Sequence, residues 1–136
     1  MAITRMARRL RQQSGTGGEI SPTLAAALAT VERDGPLTPS ALAELERIQR
    51  PTATRAVTRL EQMGLVTRTP DPSDARGSRI AITRDGATLL KRIRSRKNEY
   101  LARQLRELAP EDVATLDRAA AILERLLADR DGSRRR

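Results

Sequence analysis

Thr52, Arg55, Thr58, Arg59 and Gln62 recur at spacings that place them on one side of a helix, with Thr54 at its edge. Hydroxyls, guanidinium groups and an amide on one face are readers of base edges and phosphates, not catalysts. The opposite side holds Ala53, Ala56, Val57, Leu60 and Met63 and would pack on a domain. Pro51 suits the first helical position and Gly64 the C′ position, so the predicted helix spans Pro51–Met63. Its N-terminus, next to Arg50, offers free N–H groups to a phosphate. A second group follows in the charged hairpin Asp71–Ser78, where Asp74 and Arg76 stand two apart at the predicted tip and Gly77 serves the turn. An arginine on a thin loop can enter the DNA minor groove, where the negative potential is strongest. The neighbouring aspartate can hold its guanidinium. Either group alone also reads as solvated surface. A capped helix pair placed directly before the hairpin favours double-stranded DNA as the partner.

Composition narrows the alternatives. The chain has no Cys and no His. This removes disulfides, thiol nucleophiles and zinc sites built from those residues, and the usual general acid–base player. Asp71, Asp74 and Asp85 could in principle hold a hard cation. Pro72, Arg76 and the strand between them make a hairpin the better reading. No catalytic residue, metal or cofactor is expected. Lys and Arg number 26 against 17 Asp and Glu, for a net charge of +9. Without Arg134, Arg135 and Arg136 the balance is still +6, so the basic bias does not depend on the tail. Such a surface favours polyanions. All but Lys91 and Lys97 of these cations are Arg, which suits bidentate phosphate and guanine contacts, though codon bias in a GC-rich genome has the same effect.

The elements that must position these groups are legible from caps and periodicity. A length of 136 residues fits one domain. With one Tyr and no Phe or Trp, the core must be aliphatic, and such a core is often completed by a second subunit. Ile3, Met6, Ala7 and Leu10 predict a short amphipathic helix that packs on something, followed by a flexible loop at Ser14–Gly18. Ser21-Pro22 and Thr38-Pro39 start helices running to about Arg33 and Glu46. Val66–Thr69 and Arg79–Thr83 read as paired strands. Thr83 caps a long helix to about Leu108, and Pro110 begins the last, whose stripe is Val113, Leu116, Ala120, Leu123 and Leu127, widened by Ile122 and Leu126. The order is α-α-α-α-β-β-α-α. The fold class is mainly α with a small two- or three-stranded β wing, a winged helix-turn-helix with N- and C-terminal helices added. The N-terminus is basic without an apolar stretch typical of a leader, and Leu24–Val31 is too short to span a bilayer, so a cytoplasmic location and no membrane partner are expected.

Leu37-Thr38-Pro39-Ser40-Ala41-Leu42-Ala43, the segment Thr52–Val66, Asp71–Arg76 and Ile82-Thr83-Arg84-Asp85-Gly86 together resemble the MarR family of bacterial transcriptional regulators. The resemblance implies that Thr38–Glu46 supports a recognition helix, Pro51–Met63, in the major groove. It makes Arg76 the minor-groove arginine, buttressed by Asp74. The DNA-binding residues would be Thr38, Arg50, Pro51, Thr52, Thr54, Arg55, Thr58, Arg59, Asp74, Arg76 and Arg79, with Arg68 and Arg84 as further phosphate candidates. Residues 1–20 and 84–130 would form two-fold dimerisation helices, 21–83 the DNA-binding lobe and 131–136 a disordered basic tail. The expected function is a homodimeric regulator, a repressor, on a pseudo-palindromic operator, released by a small-molecule effector. A non-specific architectural DNA-binding protein is the alternative. Three positions depart from the family pattern. Arg47 stands for a usual turn Gly, a usual Leu is missing near Glu46, and Ala75 stands for a frequent wing Arg, which should lower wing affinity.

Overall fold

The computed structural model describes residues 1–15 and 19–132. Among these are six helices and two strands: α1 (Ala2–Gly15), α2 (Pro22–Asp34), α3 (Pro39–Glu46), α4 (Arg50–Gln62), β1 (Val66–Asp71), β2 (Asp74–Ile82), α5 (Arg84–Arg106) and α6 (Pro110–Gly132). The chain forms two compact units, Met1–Asn98 and Glu99–Arg136, and α5 runs from the first into the second.

Local chemistry explains where the helices of the first unit begin. The Ser21 hydroxyl accepts the Leu24 N–H at 3.3 Å, and Thr38 accepts the Ala41 N–H at 3.1 Å. Each cap is followed by a proline whose fixed φ suits the first turn. Thr83 does two jobs at the start of α5. Its oxygen accepts the Gly86 N–H at 3.1 Å, while its hydroxyl donates to the Gly64 carbonyl at 2.7 Å. Gly64 ends α4 with φ 71, a left-handed conformation open to glycine without strain. Gly86 is required for a different reason: a Cβ there would lie 2.2 Å from the Leu65 carbonyl oxygen.

Leu28 and Val31 of α2, Leu42 of α3, Val57 and Leu60 of α4 and Ile80 of β2 are the largest fully buried side chains. Leu89, Leu90 and Ile93 from the first half of α5 complete this aliphatic core. Burying one such side chain is worth about 1.5–3 kcal/mol, so α4 is held by its apolar side. Thr30, 2% exposed, is one of two buried polar residues among those described, with Asp71 of the wing, and its hydroxyl donates to the Glu46 carboxylate.

The wing is longer than its apolar residues indicate. β1 and β2 pair antiparallel from Val66↔Ile82 through Thr69↔Arg79 to Asp71↔Asp74, with an irregularity between Pro70 and Asp71. The tip is therefore Pro72-Ser73, and Asp74, Arg76 and Gly77 belong to β2 instead of the turn. Leu37 adds a single bridge to Ile80, with N–H···O distances of 3.1 and 2.8 Å, so the sheet has two strands and a rudiment of a third.

Three boundaries differ from expectation. α4 starts at Arg50 with Pro51 in its first turn, and α5 ends at Arg106. α6 continues through Asp131 and Gly132, and the rest of the predicted tail lies outside the described residues. In the predicted loop at Ser14–Gly18, Ser14 and Gly15 are helical, and the remainder lies outside the described residues. The apolar stripe of α1 is only half covered: Ala7 and Leu10 are half-buried, but Ile3 and Met6 are exposed.

Candidate nucleic-acid interface

α4 separates its two sides as its sequence requires. Ala53, Ala56, Val57 and Leu60 are buried, and Met63 is half-buried just past the helix end. Thr54, Arg55, Thr58, Arg59 and Gln62 are exposed, and Thr52 is half-buried. Two of these groups are partly committed to the helix itself. The Thr54 hydroxyl donates to the Arg50 carbonyl at 3.0 Å, and Arg55 Nε donates to the Pro51 carbonyl at 3.3 Å. A Thr54 bonded in this way presents its methyl and its acceptor lone pairs outward. Thr58 and Arg59 have no hydrogen-bond partner of this kind among the described residues. The N-cap of α4, Gln49, makes no side-chain cap; Pro51 has no N–H and the Thr52 and Ala53 N–H groups bond the Gln49 carbonyl at 2.9 and 3.0 Å, so the Arg50 N–H is the donor this turn leaves open. Thr38, by contrast, spends its oxygen on capping α3 and is half-buried.

The wing is organised by Asp71, an aspartate that the sequence places at the start of the hairpin and offers as a possible cation ligand, without a structural role of its own. Its side chain is 8% exposed, and Oδ1 accepts three hydrogen bonds: Ser73 N–H at 3.0 Å, Ser73 hydroxyl at 2.8 Å and Arg79 Nε at 3.2 Å. These bonds, the Ser73 N–H foremost and then its hydroxyl, hold the carboxyl below the usual Asp range, and Arg79 adds to them. Burial pushes the other way and is outweighed. Asp74 plays a different part from the one expected of it. Its carboxylate accepts the Arg76 backbone N–H at 2.9 Å and does not hold the guanidinium. Arg76 is exposed, with its guanidinium unpaired among the described residues. The Asp–Arg ion pair of the wing is Asp71–Arg79 instead.

Two of the arginines considered for phosphate contact are thus engaged within the protein. Arg79 is tied to Asp71, and Arg68 bonds Glu61 of α4 at 2.8 Å and the Ser78 hydroxyl at 3.3 Å. Arg68 thereby links the recognition side of the fold to both wing strands. Arg50, Arg59, Arg76 and Arg84 remain exposed and unpaired among the described residues. The Asp-Pro-Ser triplet is the available sign of the Asp71 turn, since an aspartate readily bonds backbone two residues on. Nothing in residue spacing distinguishes Arg79 from Arg76 as its partner.

A helix pair joined by a tight turn, an exposed polar face on its second helix and an arginine-bearing hairpin define a winged helix-turn-helix. The sequence model of the MarR family matches residues 20–78. An HTH-type transcriptional regulator of Mycobacterium tuberculosis is 35% identical over 129 residues, 95% of this chain and 84% of that protein. The crystal structure of wild-type apo MarR from E. coli superposes with a TM-score of 0.74 at 25% identity, covering 93% of this chain and 94% of that one. A point mutant of S. aureus MepR, solved bound to an oligodeoxyribonucleotide, has a TM-score of 0.69 at 22% identity, covering 95% and 92%, and shares the fold. The chain belongs to the MarR family of transcriptional regulators, DNA-binding proteins of the winged helix-turn-helix class.

Proposed function

We propose that this protein is a homodimeric, cytoplasmic repressor that binds a pseudo-palindromic operator through α4 and the wing. The observation that carries the reading is the pairing of an exposed Thr/Arg face on α4 with an exposed, unpaired Arg76 on β2. Thr52, Thr54, Arg55, Thr58 and Arg59 would meet base edges and phosphates in the major groove. Arg50, through its side chain and its N–H, would meet the backbone beside Pro51, and Arg76 the minor groove. In this reading Thr38, Asp74 and Arg79 act by shaping the interface: a cap, a bond to the Arg76 backbone and a brace on Asp71. Two such surfaces would enter major grooves one helical turn, about 34 Å, apart.

Dimerisation is supported by the apolar side chains left in solvent on α6. An effector would act on the first unit, where Glu19, Met63, Leu65, Asp85, Thr88, Leu89 and Arg92 line an open groove of about 430 Å³. Met63 and Leu65 connect this groove directly to the end of α4. A ligand there needs a differential affinity of only about 1–3 kcal/mol to change DNA binding 5- to 150-fold.

The experiment is a binding titration of wild type and Arg76→Ala on a selected operator and on random duplex. Wild type should prefer its operator and lose about 10³–10⁵ in affinity between 50 and 200 mM salt, for about 6–10 phosphate contacts per dimer. Arg76→Ala should cost about 1–3 kcal/mol per site if the arginine reads the groove. Equal affinity for operator and random duplex would favour a DNA-coating architectural role.

A further inference from the structure

The turn that carries α3 into α4 contains a left-handed helix cap filled by a residue other than glycine. Arg47 has φ 54 and ψ 43 and is the one non-glycine residue with positive φ among those described. Its backbone closes α3: the Arg47 N–H bonds Glu44 O at 3.3 Å and the Ile48 N–H bonds Ala43 O at 3.0 Å. Glycine would make the same bonds without the contact between Cβ and carbonyl that disfavours this conformation. The Arg47 side chain offers no local compensation, being exposed and without a hydrogen bond or ion pair among the described residues. The adjacent Glu46 carboxylate is already engaged by the Thr30 hydroxyl. Strained conformations of this kind persist where function requires them.

Position indicates the requirement. Arg47 lies two residues before Gln49, the N-cap that leaves the first turn of α4 without a side-chain cap, and three before the exposed Arg50. An exposed, unpaired arginine therefore sits in the turn that leads into α4, three residues before Arg50. We propose that Arg47 is a phosphate-binding residue of the interface, gripping the backbone of double-stranded DNA together with Arg50. This rests on the DNA-reading role proposed above and adds a contact to it.

The test compares wild type, Arg47→Gly and Arg47→Lys on a duplex that the wild-type protein enriches from a random pool, together with urea unfolding of each. Arg47→Gly should unfold at the same or higher urea concentration, yet bind more weakly. Its plot of log affinity against log salt should flatten by about 0.9 for each protomer. Arg47→Lys should keep the wild-type slope. An unchanged slope in Arg47→Gly, or a fall in its urea midpoint, overturns the proposal. A pool from which nothing is enriched overturns the DNA-reading premise, and this proposal with it.

Discussion

Asp71 shows how one carboxylate can set the shape of a hairpin. Three hydrogen bonds converge on it, two from Ser73 in the tip and one from Arg79 on the opposite strand. Because its acidity is raised in the folded protein, the folded state binds fewer protons than the unfolded chain on the acid side. The sign follows directly. The stabilisation from Asp71 is complete above the unfolded carboxyl pKa, about 3.9, and disappears as pH falls through the lower folded value. Asp71→Asn should therefore be less stable than wild type at neutral pH, with the difference shrinking as pH falls toward about 2. Urea midpoints measured across that range check this, and a difference that does not vary with pH would contradict it. Arg76 differs in kind: it is exposed and bonded only through its backbone, so its loss should be felt in DNA binding and hardly in stability.

At the scale of elements, the helices announce themselves along their whole length and the wing only in its apolar stretches. Ser21-Pro22 and Thr38-Pro39 mark helix starts because a hydroxyl and a proline each solve a problem of the first turn. The two sides of α4 are legible because burial follows a 3.6-residue period. The strands extend well beyond their apolar residues because backbone pairing carries them through Pro70-Asp71 and Asp74–Ser78, where exposed polar side chains leave no alternation to read. Gly77 reads as a turn residue for the same reason. It lies instead in β2 beside Asp71, where an added Cβ would come within 3.3 Å of the Asp71 Cβ. The choice of ion-pair partner is equally hidden, since it depends on the register across the tip. Thr83 is the joint between the wing and α5 and makes a prediction at this scale. Thr83→Val removes both the cap on Gly86 and the bond to Gly64, and should cost about 0.5–2 kcal/mol. Chemical denaturation would show it, and a variant as stable as wild type would count against this joint.

For the whole molecule, the question is what covers α6. Leu116, Ile122, Leu123, Leu126 and Leu127 are between 42% and 65% exposed, a run of apolar surface larger than scattered exposed leucines account for. Ile3 and Met6 of α1 are exposed as well. A second copy of the chain is the cover consistent with the proposed two-fold operator. Leu123→Glu combined with Leu127→Glu retains good helix formers but places charge on that surface. The double variant should sediment as a monomer and lose the affinity that comes from binding two half-sites together. A double variant that stays dimeric would place the contact elsewhere. Among the described residues no helix is long and apolar enough to cross a membrane.

The central claim is that α4 and the wing read a particular DNA sequence as a pair. Footprinting of the protein across genomic DNA tests this most directly. The account predicts discrete protected sites with related half-sites about one helical turn apart, and their loss with Arg76→Ala. Uniform protection that follows only protein concentration, and is insensitive to sequence, would contradict it.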